Sequence, residues 1–220
     1  YILDYFEEYD YHRPLSGMAD RMDYRRGDNI TGHQQRAFIL YWAIDSIKSG
    51  YVGVELGAGV DSTPGCIDVD KYADDVNPPI GRSDGHNPSL CLDACNLSLL
   101  RSGKWGNVIS CHCFEHLDDP YKAAKEAFRI MRPGRYFAMI VPDASVQEWN
   151  TEGERHITAW LPRRCDRIYP FDGSKVGFPE GVIYLDEFAQ WLRDYLNAKV
   201  VEVNTLNNHF SLNLVARKVC

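Results

Sequence analysis

Residues 51–59 read Tyr-Val-Gly-Val-Glu-Leu-Gly-Ala-Gly, a short apolar run that ends in a glycine turn. We predict a buried strand over 51–56, because parallel strands that are covered on both faces are apolar throughout. Two glycines after a strand let a ligand approach the backbone closely, since no Cβ stands between them. In open α/β sheets the carboxyl edge is where ligands bind. The stretch therefore predicts a parallel sheet and the place of its site.

Strand-like and helix-like runs alternate along the rest of the chain. Further strands are predicted at 66–70, 89–93, 107–112, 135–141, 200–203 and 210–216. Helices are predicted at 31–48, from Pro120 to about residue 131, and from about residue 186. Strands that alternate with helices and close on a hairpin predict an α/β fold with a mostly parallel sheet and an antiparallel edge.

The predicted helix ends rest on local chemistry. Thr31 is expected to cap the first helix, and Gly50 to follow its end. Pro120 stands at the favoured first position of the next helix, with Asp118 and Asp119 near its positive end. Helical spacing predicts an apolar face on the first helix, formed by Ala37, Leu40, Tyr41, Ile44 and Ile47.

The composition of the chain argues against two classes of protein, those that bind nucleic acids and those that span membranes. The 220 residues carry a net charge of −7, which argues against a nucleic-acid partner, since such proteins usually present a basic face. No apolar run approaches the roughly 20 residues that a membrane span needs. The chain begins with Tyr1 rather than Met and has no secretory signal, and we expect it to be cut from something longer.

The seven cysteines form no Cys-x-x-Cys pair and no zinc-like pattern with histidine, so no metal site is predicted. Several lie in apolar runs, where a free thiol behaves as a small hydrophobic group. A reducing, cytoplasmic setting is the simplest explanation.

Acidic residues end the next two predicted strands. Asp70 closes the second strand, where a carboxylate can accept hydrogen bonds from both hydroxyls of a ribose. Asp93 closes the third, placed to accept from an exocyclic amine such as that of adenine. Each aspartate alone is more often a turn or helix cap. Together with the glycine turn, and with residues 110–112 after the fourth strand, their order indicates a nucleoside ligand.

Taken together, four segments resemble the class I S-adenosylmethionine-dependent methyltransferase superfamily: residues 55–59, 67–70, 92–94 and 108–120. Within it the chain is similar to the type 11-like group, which has Glu-His-Leu after the fourth strand and Arg-x-Met-Arg-Pro-Gly before the fifth. These motifs stand at 115–117 and 129–134. The resemblance covers about residues 50–142. It implies a Rossmann-like sheet of seven strands, mostly parallel with an antiparallel last strand, and helices on both faces.

The resemblance also implies S-adenosylmethionine as cofactor and S-adenosylhomocysteine as product. It assigns the methionine end to Glu55, Leu56, Gly57, Ala58 and Gly59, the ribose to Asp70, the adenine to Asp93 and Ala94, and the sulfonium side to Cys111 and His112. We expect one methyltransferase domain over 1–220: an N-terminal helical or lid segment (1–50), a cofactor-binding core (51–142), an acceptor-side insertion (143–183), and a closing helix and hairpin (184–220).

Methyl transfer mainly requires that the acceptor atom be aligned with the methyl carbon. A hydroxyl acceptor also needs a general base, for which histidine suits neutral pH. We identify His116, which is beside Glu115, and His156 as catalytic candidates, with His112 a further one; a structural role for His116 stays open. The aromatic, mildly polar residues 143–180 suit a small polar acceptor, namely a sugar or a small-metabolite hydroxyl or amine.

Two other function classes remain to be weighed. A nicotinamide or flavin enzyme also has Gly-x-Gly after its first strand, but its fingerprint needs a third glycine that opens a helix. Here that position is Ser62, followed by Pro64. A methyltransferase fold kept as a binding or scaffold module is the other alternative, and the intact set of strand-end carboxylates and glycines argues against it.

Overall fold

A computed structural model of the chain describes residues 30–58, 63–71, 88–144, 157–162, 181–206 and 211–219. Helices α1, α2 and α3 span Ile30–Lys48, Pro120–Ile130 and Leu185–Leu196, and a short 3₁₀ helix spans Phe114–His116. Strands β1 to β9 span, in order, Gly53–Leu56, Cys66–Asp70, Leu90–Cys91, Val108–Cys111, Tyr136–Pro142, Thr158–Leu161, Gly181–Tyr184, Ala198–Leu206 and Ser211–Lys218.

Seven of these strands form one sheet in the order β3-β2-β1-β4-β5-β9-β8. The first five are mutually parallel, and β9 runs antiparallel to both of its neighbours. This confirms the predicted fold: a mostly parallel seven-stranded sheet whose last strand is antiparallel. From β1 the sheet continues through β2 and β3 on one side and through β4 and β5 on the other. The strand order therefore changes direction at β1, and a crevice opens there at the carboxyl edge of the sheet.

Helices cover both faces of the sheet, and β5 shows how. Its residues Phe137, Met139 and Val141 pack in one apolar cluster with α2 and α3, whereas Ala138 and Ile140 pack in a second cluster with α1. Alternate residues of a strand point to opposite faces, which explains the separation. Because both faces are covered, β5 is apolar throughout, as the sequence predicts for a central strand.

The structure corrects the apolar face predicted for α1. Its buried residues are Ile39, Trp42, Ala43 and Ser46, while Tyr41 and Ile47 are exposed. Residues 38–44 are apolar without interruption, so spacing alone defines no single face. The helix also begins at Ile30, which places the predicted cap Thr31 inside the first turn. Gly50 follows the helix with φ of 76°, as expected of a glycine at that position.

Two strands were not predicted. β6 and β7 pair in parallel as a separate two-stranded sheet, within a segment whose sequence shows no clear period. The β6 strand is attached to the carboxyl edge of the main sheet: the Ala144 amide donates to the Trp160 carbonyl at 2.9 Å, and the Ile157 amide donates to the Glu115 carbonyl at 2.8 Å. Part of the insertion therefore lies beside the ends of β4 and β5.

Candidate functional site

The glycine turn after β1 lies in direct contact with the residues after β4. Gly57 has φ of 69°, and a Cβ placed on it would lie 2.4 Å from the Cβ of Cys113. Its amide donates to the Val69 carbonyl of β2 at 2.8 Å, while the Ser110 hydroxyl of β4 donates to the Leu56 carbonyl at 3.2 Å. Only glycine fits this position, because a side chain would collide with Cys113.

The predicted methionine-end residues lie around that turn. Glu55 is buried on β1, and its Oε2 accepts a hydrogen bond from the Thr63 amide at 2.6 Å, which ties the β1–β2 connection to the strand. Leu56 and Ala58 are buried. Gly59 lies outside the described residues.

Asp70 and Asp93 reach the same edge but differ in their surroundings. Asp70 is buried at the end of β2, and its carbonyl accepts from the Leu92 amide at 3.0 Å. Asp93 accepts from the Cys95 amide at 2.8 Å and pairs with the Lys71 ammonium at 3.2 Å. Its carboxylate therefore caps its own turn, the role that a lone strand-end aspartate most often has. Ala94 is buried beside it.

The pKa of Asp93 reflects these contacts. Partial burial raises the pKa of this carboxyl, but the hydrogen bond from the Cys95 amide and the nearby Lys71 ammonium lower it by more. The net pKa lies below its ordinary value, so Asp93 is a carboxylate at neutral pH and acts there as an acceptor only.

Cys111 is the last residue of β4, and His112 follows it directly. Burial, and then the charges of Glu115 and Glu55, raise the pKa of the Cys111 thiol to about 12. His112 has φ of 53°, the left-handed region, and its amide donates to the Ile140 carbonyl at 3.0 Å. The strand therefore ends in a sharp turn at His112.

Glu115 contacts His112 more closely than His116. The Nδ1 atom of His112 lies 3.1 Å from Glu115 Oε1, whereas the Nε2 atom of His116 lies 3.9 Å from the same oxygen. The sequence suggested the opposite pairing, because Glu115 and His116 are adjacent. His156, the other predicted base, lies outside the described residues. Glu115 is fully buried and was not singled out from the sequence except as the neighbour of His116.

No cluster suited to a metal ion is found within the described ranges. The five cysteines described there, Cys66, Cys91, Cys95, Cys111 and Cys113, are free thiols. Burial raises the pKa of Cys113, with the charges of Glu115 and Asp70 adding to the effect, so this thiol stays neutral against Gly57. Cys113 is a site neighbour that sequence reasoning missed, because its contact with Gly57 depends on strand pairing.

Arg129 holds the loop that follows Asp93 and Ala94. Its guanidinium donates to both carboxylate oxygens of Glu126 at 2.8 Å and to the carbonyls of Leu97 and Leu100 at 2.7 and 2.9 Å. Glu126 in turn accepts from the Leu97 amide at 2.8 Å. A two-pronged pair of this kind fixes geometry as well as adding energy. The first arginine of the motif at 129–134 thus supports the predicted adenine side.

We expect this network to give part of the protein's acid sensitivity. The hydrogen bond from Arg129 lowers the pKa of Glu126, and burial opposes that only in part. Because the folded-state pKa lies below the unfolded value of about 4.3, the stabilisation is full above about pH 5 and is lost as the pH falls through the folded pKa. Glu126→Gln should therefore flatten the fall in stability below about pH 5, measured by urea unfolding across pH. Glu187→Gln on α3 is the matched control, and an equal flattening there would contradict the assignment.

The chain is similar to known proteins both in part of its sequence and in its fold. Residues 57–139 match the family model described as a methyltransferase domain. That match covers 83 of the 220 residues, including the glycine turn, the Glu-His-Leu motif and the first four residues of β5. It supports the predicted class I S-adenosylmethionine-dependent methyltransferase superfamily, and with it S-adenosylmethionine as the cofactor.

Three solved structures show the same fold at low identity. A Thermotoga maritima S-adenosylmethionine-dependent methyltransferase, described as a possible histamine N-methyltransferase, is 16% identical with a TM-score of 0.50, covering 93% of this chain and 96% of its own. The Burkholderia thailandensis 1,6-didemethyltoxoflavin-N1-methyltransferase, solved with its acceptor and S-adenosylhomocysteine, is 15% identical with a TM-score of 0.50, covering 88% and 80%. The [4+2]-cyclase SpnF is 12% identical with a TM-score of 0.58, covering 90% and 86%.

No curated protein matches the chain. None of the helices in the described part of the chain has the length and apolar character to cross a membrane.

Proposed function

We propose that this protein binds S-adenosylmethionine at the carboxyl edge of β1, β2 and β4 and transfers its methyl group to a small polar acceptor. The observation that carries the proposal is the bare Gly57 turn against Cys113, with the buried carboxylate of Asp70 on the next strand. In this arrangement Glu55, Leu56, Gly57, Ala58 and Gly59 serve the methionine end, Asp70 the ribose, Asp93 and Ala94 the adenine, and Cys111 and His112 the sulfonium side.

The acceptor is proposed to be a sugar or a small-metabolite hydroxyl or amine, bound under the segment 143–183. Supporting this, β6 lies beside the residues after β4 and β5, and Trp160 and Asp143 are buried there. The Burkholderia neighbour is a 1,6-didemethyltoxoflavin-N1-methyltransferase, and the Thermotoga neighbour is described as a possible histamine N-methyltransferase. The division into segments 1–50, 51–142, 143–183 and 184–220 belongs to the proposal, as do a cytoplasmic setting and the absence of a nucleic-acid partner.

A scaffold or a different reaction on the same fold is the second candidate. The [4+2]-cyclase neighbour carries this fold with an activity other than methyl transfer, so fold alone does not decide between them. The intact strand-end residues favour the enzyme, because a scaffold does not need a buried carboxylate such as Asp70 at this edge.

The test is isothermal titration with S-adenosylmethionine, S-adenosylhomocysteine and NAD, on the wild type and on Asp70→Ala. A carboxylate bonded to both ribose hydroxyls contributes about 1.5–3 kcal/mol, so the substitution should weaken cofactor binding roughly 10- to 100-fold. Asp194→Ala is the matched control, since it removes the same charge from the exposed C-terminal part of α3. We expect that variant to bind normally.

Each contrary outcome has a defined meaning. If folded wild-type protein gives no heat with S-adenosylmethionine, the hypothesis of a scaffold would be favoured over that of a methyltransferase. Binding of NAD in its place would favour an oxidoreductase. Binding of S-adenosylmethionine that Asp70→Ala leaves intact would remove Asp70 from the ribose site while keeping the cofactor.

A further inference from the structure

A buried carboxylate behind the predicted sulfonium side stands out among the polar groups of the molecule. Glu115 has no exposed surface, and within the described part of the chain its Oε2 atom has no hydrogen-bond partner. Its other oxygen, Oε1, lies 3.1 Å from Nδ1 of His112. A fully buried carboxylate with one satisfied oxygen is costly to keep, so its place in the fold calls for an explanation.

The groups that face Glu115 in the described structure are histidines and thiols. Its ion-pair contacts there are His112 and, at 3.9 Å, His116. Burial first, and then the charge of Glu115, raise the pKa of the Cys111 thiol to about 12, and that of Cys113 is raised by the same two causes. Both thiols therefore stay protonated near neutral pH and supply no thiolate base there.

His112 has an uncommon backbone conformation besides its contact with Glu115. Its left-handed φ of 53° is uncommon for a residue with a side chain, and such positions persist only when the surroundings hold them. The Ile140 carbonyl accepts from its amide at 3.0 Å. About a third of the side chain, 36%, is exposed, so the imidazole is anchored at Nδ1 and still open to solvent.

The contact bears on which ring nitrogen carries the proton, because the role of Nδ1 depends on the tautomer. With Glu115 as a carboxylate, which can only accept, Nδ1 of His112 is the donor. The neutral ring then has an unprotonated Nε2, which is the form that a general base requires. Nε2 of His116, at 3.9 Å from the same oxygen, is beyond hydrogen-bond distance, so Glu115 does not orient that ring in the same way.

We propose that His112 is the general base of the methyl transfer and that Glu115 is its positioning residue, a pair that would serve a hydroxyl acceptor. This inference rests on the function proposed above. In the step, the acceptor oxygen forms a bond to the methyl carbon as the carbon–sulfur bond breaks, and sulfur keeps the electron pair to give S-adenosylhomocysteine. The hydroxyl proton passes to Nε2 of His112, and the resulting imidazolium is stabilised by the Glu115 carboxylate.

The test is a histidine titration by NMR, which needs no acceptor. Protein labelled with ¹⁵N-histidine and saturated with S-adenosylhomocysteine is followed by long-range ¹H–¹⁵N spectra across pH, with the His112 signals identified by their loss in His112→Gln. We expect the neutral ring to carry its proton on Nδ1. In Glu115→Gln the His112 pKa should fall by about one unit or more, because an opposite charge within about 4 Å shifts a pKa by that amount.

Controls separate this inference from folding and from the proposed function. His116→Gln should leave the Nδ1-protonated form of His112 in place, and the melting temperature of each variant reports whether it folds. If Glu115→Gln does not fold, the wild-type proton position alone decides. A neutral His112 protonated on Nε2, or a His112 pKa that Glu115→Gln leaves unchanged, would overturn the inference. Failure of S-adenosylhomocysteine to bind would instead contradict the proposed function, while the apo protein still reports the proton on His112.

Discussion

Gly57→Ala is expected to destabilise the protein by about 3 kcal/mol or more and to weaken cofactor binding with it. The left-handed backbone costs a residue with a side chain about 1–2 kcal/mol. The new Cβ would also lie 2.4 Å from the Cβ of Cys113 and 2.6 Å from its Sγ, and such overpacking costs about 1–3 kcal/mol more. For a chain of this length the melting temperature should fall by roughly 6–12 °C, measured by calorimetry.

The variant Gly103→Ala separates the two causes of this destabilisation, the left-handed backbone and the overpacking against Cys113. Gly103 has φ of 64°, almost the same as Gly57, but a Cβ there would meet nothing within 4 Å. It should therefore show the backbone cost alone. In a Cys113→Gly background the cost of Gly57→Ala should fall towards that of Gly103→Ala, because the two closest contacts, with the Cβ and Sγ of Cys113, are removed. Equal costs for Gly57→Ala and Gly103→Ala in the wild type would show that the turn can move away from Cys113.

Asn107→Asp is expected to have an effect of similar size without changing the shape of the side chain. The Asn107 amide nitrogen donates to the Trp42 carbonyl at 2.7 Å and to the Asp45 carboxylate at 2.9 Å, while its oxygen accepts from the Tyr136 amide at 2.9 Å. The side chain is fully buried and joins α1 to β4 and β5. A carboxylate would remove both donors and face two acceptors, at a cost of about 3–5 kcal/mol.

The loss of stability caused by Asn107→Asp should increase with pH. Burial and the facing acceptors would raise the pKa of the new carboxyl in the folded state. The neutral form is then the better tolerated one, so the cost should grow as the pH rises above the unfolded value of about 3.9. Urea unfolding at about pH 4 and pH 7 measures this, with Asn96→Asp on an exposed turn as the control. A cost of less than about 1 kcal/mol at neutral pH would contradict the structural role of Asn107.

Local chemistry explains which elements could be predicted. The strand 66–70 is found at the predicted residues, because its apolar positions are bounded by Gly65 and Lys71. The helix after β4 begins at Pro120, and the Asp119 side chain accepts from the Lys122 amide at 2.8 Å. Capping and the fixed φ of proline act within a few residues, so the sequence suffices to locate them.

Long-range packing explains what could not be predicted. β6 and β7 are four residues each and pair with one another from positions about twenty residues apart, so neither shows a pattern by itself. The buried face of α1 is chosen by the sheet residues Ile109, Ala138, Ile140 and Val215 rather than by its own spacing. The clamp of Arg129 on the loop 97–103 likewise joins residues that are distant in the chain.

Residue types at short spacing are enough to predict the resemblance to the methyltransferase superfamily, the seven strands of the main sheet with their helices, and the glycine turn and aspartates at successive strand ends. That Glu115 contacts His112 more closely than its neighbour His116 depends on the tertiary structure. The left-handed turn at His112 and the burial of Glu115 bring that pair together. The physical reason is that a contact between side chains depends on backbone direction and strand pairing, which adjacency in the sequence does not specify.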